Sequence, residues 1–331
     1  MAPARSFTEQ LAIRSIGKDE FITVHKPLQM GNIRNVAFGG CTIGSAIKAA
    51  FETIKPGYHL YSLMGQFLAP TQPDQLIHLT VTHIRDTRTF ATRLVRASQS
   101  LPNGKPGERT VAQLTLDFHA AEPASMIEVS TPPMAPLGTP YPPPEACPEQ
   151  SEVLADALRT GLLTERQGKA YKAVFTATSA FFDERDVPES IMKNNMRGYA
   201  AANPTPQDHL PMHSRTSADY FRSQEKLLTD ADRTAALGYE MDGALAGVAL
   251  AHAHISMHKG VAAASTLDFA LRIFVNDFDP CKWLLRELNV VAAGVGRTYV
   301  ESRVWDEEKR LVCSMTQQTI LRPMPADASK L

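Results

Sequence analysis

The feature that most constrains this chain is that it contains the same pattern twice. "RTFATRLV" (88–95) and "RTYVESRV" (297–304) both alternate polar and apolar residues, as a half-buried strand does. Each leads through a turn, "SLPNGKPGE" or "WDEEKR", into another strand, "TVAQLTLDFH" (110–119) or "LVCSMTQQTILR" (311–322). Each is preceded by a strand, "LIHLTVTHIR" (76–85) or "WLLRELNVVAAG" (283–294), and before that by "YSLMGQFLAP" (61–70) or "STLDFALRIF" (265–274). Upstream of each set lies one apolar helix, "FGGCTIGSAIKAAFETI" (38–54) or the region from Leu237 to Met257. A long helix followed by several short-turned strands, repeated, is an internal duplication with antiparallel pairing. It predicts an α+β fold of two antiparallel sheets, each wrapped round one central helix. Both helices are rich in Gly and Ala, which would let them lie close to a sheet; each Gly otherwise costs a helix about 1 kcal/mol.

Eight prolines between Pro132 and Pro148 separate the copies. Proline fixes φ and lacks an amide proton, so this stretch reads as an extended linker. The predicted organisation is a first unit over 1–121, a linker over 122–149, a second unit over 150–323 and a tail over 324–331.

Composition excludes several classes. Among 331 residues the formal net charge is −1, with no long run of one sign, which argues against a nucleic-acid or membrane-surface partner. Arg85, Arg88, Arg93 and Arg96 read as a solvated strand face, or alternatively as an anchor for ligand phosphates. Four cysteines, Cys41, Cys147, Cys281 and Cys313, lack CxxC spacing and suggest free thiols in a reducing compartment. No apolar stretch is long enough to span a bilayer, and "MAPARSFTEQ" lacks the apolar core of a secretory signal. His252, His254 and His258 come without HExxH or a cysteine pair, so no metal and no cofactor is expected. The sequence given finishes with Ser329, Lys330 and Leu331, the form of the peroxisomal import address, which predicts an import receptor as a partner and the peroxisomal matrix as the location.

The chain resembles the type II acyl-CoA thioesterases, which have the double hotdog fold. "FGGCTIGSA" (38–46) is similar to the opening of that family's first helix. "ALGYEMD" (236–242), "STLDF" (265–269), "WLL" (283–285) and "QQTILR" (317–322) fall in the order of its second domain. The resemblance implies hydrolysis of fatty acyl-CoA to a free acid and CoA, with water held by an Asp, a Thr or Ser, and a Gln. The matching positions are Asp242, Thr266 and Gln317. By the strand repeat Leu116 stands where Gln317 does, so the second unit alone keeps the polar set. Phe38, Gly39, Gly40, Arg88 and Phe269 are the expected substrate contacts. The family commonly has histidines where Phe269 and Phe274 stand here, which implies an altered acyl pocket. By analogy a homodimer or larger assembly is expected.

Taken without the resemblance, Asp242 before Gly243 reads as a helix cap, and Thr266 and Gln317 as ordinary strand residues. Asp268, two residues beyond Thr266, would share its strand face. A hotdog hydratase or dehydratase needs an Asp and a His five residues apart on the helix; Gly247 occupies that place. A non-catalytic acyl-CoA-binding protein is the third reading.

Overall fold

The computed structural model describes residues 4–30, 35–101, 106–256 and 260–324. The first half contains β1 (Ile13–Gly17), β2 (Glu20–Thr23), β3 (Tyr58–Phe67), β4 (His78–Asp86), β5 (Phe90–Ser100) and β6 (Glu108–Ala120). Its helices are α1 (Phe7–Gln10) and α2 (Gly39–Phe51). The second half contains α3 (Gln150–Arg159), α4 (Glu165–Ser179), α5 (Ile191–Asn194) and α6 (Asp230–His252). Its strands are β7 (Phe182–Asp186), β8 (Thr216–Ser223), β9 (Val261–Ile273), β10 (Leu284–Gly294), β11 (Arg297–Trp305) and β12 (Leu311–Pro323).

The duplicated pattern forms the two expected half-sheets, and these join. Twelve described strands make one sheet in the order β1-β2-β4-β5-β6-β3-β9-β12-β11-β10-β8-β7. β3 and β9 pair antiparallel at the centre, with Leu63 opposite Leu271 and Gly65 opposite Phe269. This pairing hides two edges that separate sheets would have left open.

α2 and α6 lie against each other on the inner face. A Cβ on Gly40 would fall 2.5 Å from the Tyr239 carbonyl oxygen, and one on Gly238 would fall 2.6 Å from Ile47 Cδ1. These glycines therefore serve close approach of helix to helix, where the sequence suggested helix to sheet. Sheet and helices share one core that includes Ile43, Ile47, Leu63, Leu114, Leu245 and Val248.

α6 is longer than its apolar half. It starts at Asp230, capped by Thr229, whose side chain accepts from the Asp232 backbone N–H. Asp242 thus lies mid-helix and caps nothing. Local reasoning placed a boundary at Gly243 because the preceding turns mix charged and apolar residues.

Two further expectations change. Arg93 is buried, not solvated: its Nη2 donates to the Thr53 carbonyl at 3.0 Å and to Asp86 Oδ1 at 2.7 Å. A cation there satisfies the carbonyl end of α2. The proline linker is extended but bound. Trp305 Nε1 donates to the Thr131 carbonyl at 2.6 Å, and Glu287 Oε1 accepts from Met134 N–H and the Tyr141 hydroxyl at 2.8 and 2.7 Å. Below α6, Arg286 is 2% exposed and makes a bidentate pair with Asp219 at 2.9 and 3.0 Å, and a third contact with Glu240 Oε1 at 3.0 Å.

Candidate active site

The structure brings Asp242, Thr266 and Gln317 together. Gln317 Nε2 donates to Asp242 Oδ1 at 2.8 Å, and Thr266 Oγ1 donates to Gln317 Oε1 at 3.1 Å. A carboxylate accepts only, so Asp242 fixes which way the Gln317 amide faces. The amide oxygen then faces Thr266 and holds its hydroxyl. Gln317 is fully buried, whereas Asp242 and Thr266 are half-buried.

A β-bulge makes this possible. Gln318 pairs with Asp268, but Thr319 pairs with Thr266, so Leu267 has no opposite residue. The extra residue shifts the alternation by one. Thr266 and Phe269 consequently share the inner face with Gln317 and Thr319. Asp268 lies on the other face with Gln318, contrary to the two-residue period.

The first half completes the site. α2 opens on Gly39 and Gly40, and its N-cap residue Phe38 provides no side-chain cap. A Cβ on Gly39 would fall 2.6 Å from Asp242 Oδ2 and 2.8 Å from Phe67 Cζ. Only a glycine lets the carboxylate approach this closely. The unpaired amides of a helix start carry partial positive charge. Burial pushes the Asp242 carboxyl up from 3.8 to about 6, against the hydrogen bonds from Gln317 and the Gly40 backbone, which hold it down. The result is a carboxylate that is charged at neutral pH yet basic enough to take a proton.

The other predicted contacts divide. Phe38 is buried, edge-on to Tyr239 at 4.8 Å, and walls the site from the core side. Phe269 is buried beneath Gly65, where a Cβ would fall 2.4 Å from its Cζ, and stacks at a tilt on Phe67 at 5.2 Å. Phe274 is exposed, away from the trio. Arg88 is not brought to the site. It sits in the β4–β5 turn, where its carbonyl accepts from the Tyr58 hydroxyl at 2.6 Å. That turn lies at the far end of α2, about 20 Å from Gly39 at 1.5 Å per residue. Leu116 is buried in the core. Gly39 and Gly40 were legible as a motif, but their contact with Asp242 across the halves was not; Phe67 carried no signal at all.

Among the described residues no three His, Cys, Asp or Glu side chains are grouped to hold a metal. His254 is engaged by Asp208 and the Ala201 carbonyl, and His258 lies outside the described residues, as do Ser329, Lys330 and Leu331. No described helix is long and apolar enough to cross a membrane. A cleft of about 650 Å³ opens elsewhere, between α3, α4 and β7, lined by residues including Tyr171, Phe182 and Trp283. Volume alone would favour it; the tuned carboxylate and its positioned amide favour the trio.

Comparison with known proteins fits this geometry. The acyl-CoA thioesterase N-terminal domain model matches residues 26–129, and the C-terminal domain model matches residues 148–321. The chain is 25% identical over 291 residues to human acyl-coenzyme A thioesterase 8, covering 87% of this chain and 81% of that protein. It is 24% identical to the rat protein of the same name over the same shares. Among solved structures, acyl-CoA thioesterase II TesB2 from Mycobacterium marinum superposes with a TM-score of 0.67 at 22% identity, covering 97% of this chain and 100% of that one. A hot dog fold protein from Alicyclobacillus acidocaldarius gives 0.65 at 16% identity, covering 96% and 97%. These two show the shared double hotdog architecture.

Proposed function

The chain belongs to the acyl-CoA thioesterase family, and from that premise we propose that it hydrolyses fatty acyl-CoA to the free acid and CoA with a water held by Asp242, Thr266 and Gln317. The observation that carries this is the unbroken chain Thr266–Gln317–Asp242, ending on a carboxylate raised to about 6.

Asp242 removes a proton from the water as its oxygen attacks the thioester carbon. The oxyanion forms beside the α2 start, where the Gly39 N–H and the helix dipole supply positive potential while the Gly40 N–H stays on Asp242. Collapse of the intermediate breaks the C–S bond. The thiolate of CoA leaves with a pKa near that of a free thiol, about 8.5, so the proton held by Asp242 suffices to neutralise it. Gln317 holds the carboxylate in place, and Thr266, whose proton is committed to Gln317, has lone pairs free to accept from the water. The hydratase alternative finds no support, since Gly247 offers no acid or base. Phe269 contributes to the acyl side of the pocket through its packing on Gly65 and Phe67.

The deciding experiment is release of free thiol from a series of acyl-CoAs by wild type and Asp242→Asn. The variant should lose turnover with every chain length. Unchanged turnover would remove Asp242 as the base; no thiol release by wild type would leave a binding protein. Ser329, Lys330 and Leu331 are proposed to direct the protein to the peroxisome through an import receptor. A fluorescent fusion ending in these residues should be punctate and one lacking them diffuse. A homodimer or larger assembly is proposed; sedimentation should show a mass of at least two chains, and a monomer would refute it.

A further inference from the structure

The inner face of the second half-sheet continues from Thr266 into two hydroxyls that the mechanism does not use. Thr266 on β9 stands opposite Thr319 on β12, and Thr319 stands opposite Thr298 on β11. Thr319 is 0% exposed and Thr298 is 4% exposed. Neither hydroxyl has a hydrogen-bond partner among the described residues. Gln317 and Thr266, the polar residues next to them on this face, bond each other and leave both hydroxyls unserved, and the flanking inward positions are Val300 and Phe269.

A buried hydroxyl left unpaired costs about 1–3 kcal/mol. Valine, of nearly the same shape, would avoid that cost in a position that only needed filling. Two such hydroxyls, side by side and continuous with Thr266, therefore point to something that bonds them. Directly opposed residues have Cβ atoms about 4.5–5.5 Å apart, so the row leads by two even steps from the Thr266–Gln317 pair across β12 to β11.

We propose that the Thr319 and Thr298 hydroxyls form a second polar subsite, which receives an oxygen function, a hydroxyl or a carbonyl, on the acyl chain of the substrate. This rests on the thioesterase reading. The coenzyme carries phosphates that must remain in water, so the part of the substrate reaching fully buried positions is the acyl part. A plain alkyl chain lying along the row would keep both hydroxyls unsatisfied; an oxygenated chain satisfies them. The enzyme then acts on oxygenated acyl-CoA, the kind of product an earlier hydroxylation or hydration supplies.

The test uses the full chain with decanoyl-CoA and its 3-, 5- and ω-hydroxy counterparts, read both as thiol release and as calorimetric binding of non-hydrolysable thioether analogues. Wild type should favour at least one hydroxylated chain by about tenfold in kcat/KM and in affinity, the worth of one hydrogen bond. Thr319→Val with Thr298→Val should abolish that preference without weakening plain decanoyl-CoA, and Thr→Ser at both positions should retain it. The Val variant should melt no lower than wild type, because it removes unpaired hydroxyls. Equal use of all chains by wild type would overturn the proposal whether or not the variants fold. So would a preference that survives in the Val variant. A loss common to plain and hydroxylated chains would assign the threonines to the pantetheine arm and overturn it too. Thiol release without preference sinks the subsite alone; preferential binding without thiol release sinks the hydrolase reading alone.

Discussion

Replacing Gln317 by methionine isolates what its amide does to the base. The side chain keeps its length and burial, but the 2.8 Å donation to Asp242 Oδ1 is gone. That bond favours the charged carboxylate, so its loss must raise the Asp242 pKa from about 6. A hydrogen bond to a charged group is worth about 1.5–3 kcal/mol, and one pKa unit is 1.36 kcal/mol, so the rise should be about one to two units. The base works when ionised. The acidic limb of the kcat/KM profile should therefore lie near 6 in wild type and move one to two units toward alkaline pH in Gln317→Met. The assay is thiol release across pH 4.5–9, with the plateau rate read separately, since loss of Thr266's partner will also lower it. A limb that stays in place, or moves toward acid, would refute the coupling of Gln317 to the base.

Other outcomes follow from the same geometry. Asp242→Asn should be inactive yet more stable at pH 7, by up to about 3 kcal/mol, the cost of holding the carboxyl about two units above its ordinary value. Because the folded pKa is raised, the wild-type deficit should vanish below pH 3.8, grow between 3.8 and 6 and stay constant above, as melts of both proteins across pH will show. Gly39→Ala should cut kcat by an order of magnitude or more, since its methyl would press on Asp242 Oδ2 and Phe67, while circular dichroism stays native. Arg286→Met should cost about 3–5 kcal/mol in denaturant melts, because it leaves Asp219 and Glu240 buried and unpaired.

Strand periodicity and the repeat were enough to read four strands of each half-sheet and its long helix; β1, β2, β7, β8 and helices α3 to α5 lie outside the repeated pattern. The β3–β9 seam was not legible: Leu63 and Leu271 look like any core residues, and nothing local says which strands meet across the halves. Asp242 was found through resemblance, while its local setting suggested a cap that α6 does not need. Thr266 was singled out only through resemblance; the bulge at Leu267 that turns it inward onto Gln317, and turns Asp268 away, has no glycine or proline to announce it. Arg93 was misread because an arginine on an alternating strand is usually solvated, and the carbonyls of Thr53, Arg85 and Thr92 that bury it come together only in the fold. Thr319 and Thr298 carried no signal; a threonine in a strand is ordinary until its hydroxyl is seen to be unpaired.

The central claim is that Asp242 activates water and does not itself attack the thioester. A single turnover in ¹⁸O-water, followed by mass spectrometry of both the released fatty acid and the peptide containing Asp242, separates the two when paired with hydroxylamine trapping, since an acyl–Asp242 anhydride opened at its acyl carbon would leave the label of direct attack but be captured as a hydroxamate. Direct attack by water predicts one ¹⁸O in the acid and none in the peptide. An unlabelled acid from the first turnover, with ¹⁸O in the Asp242 carboxyl, would contradict the account.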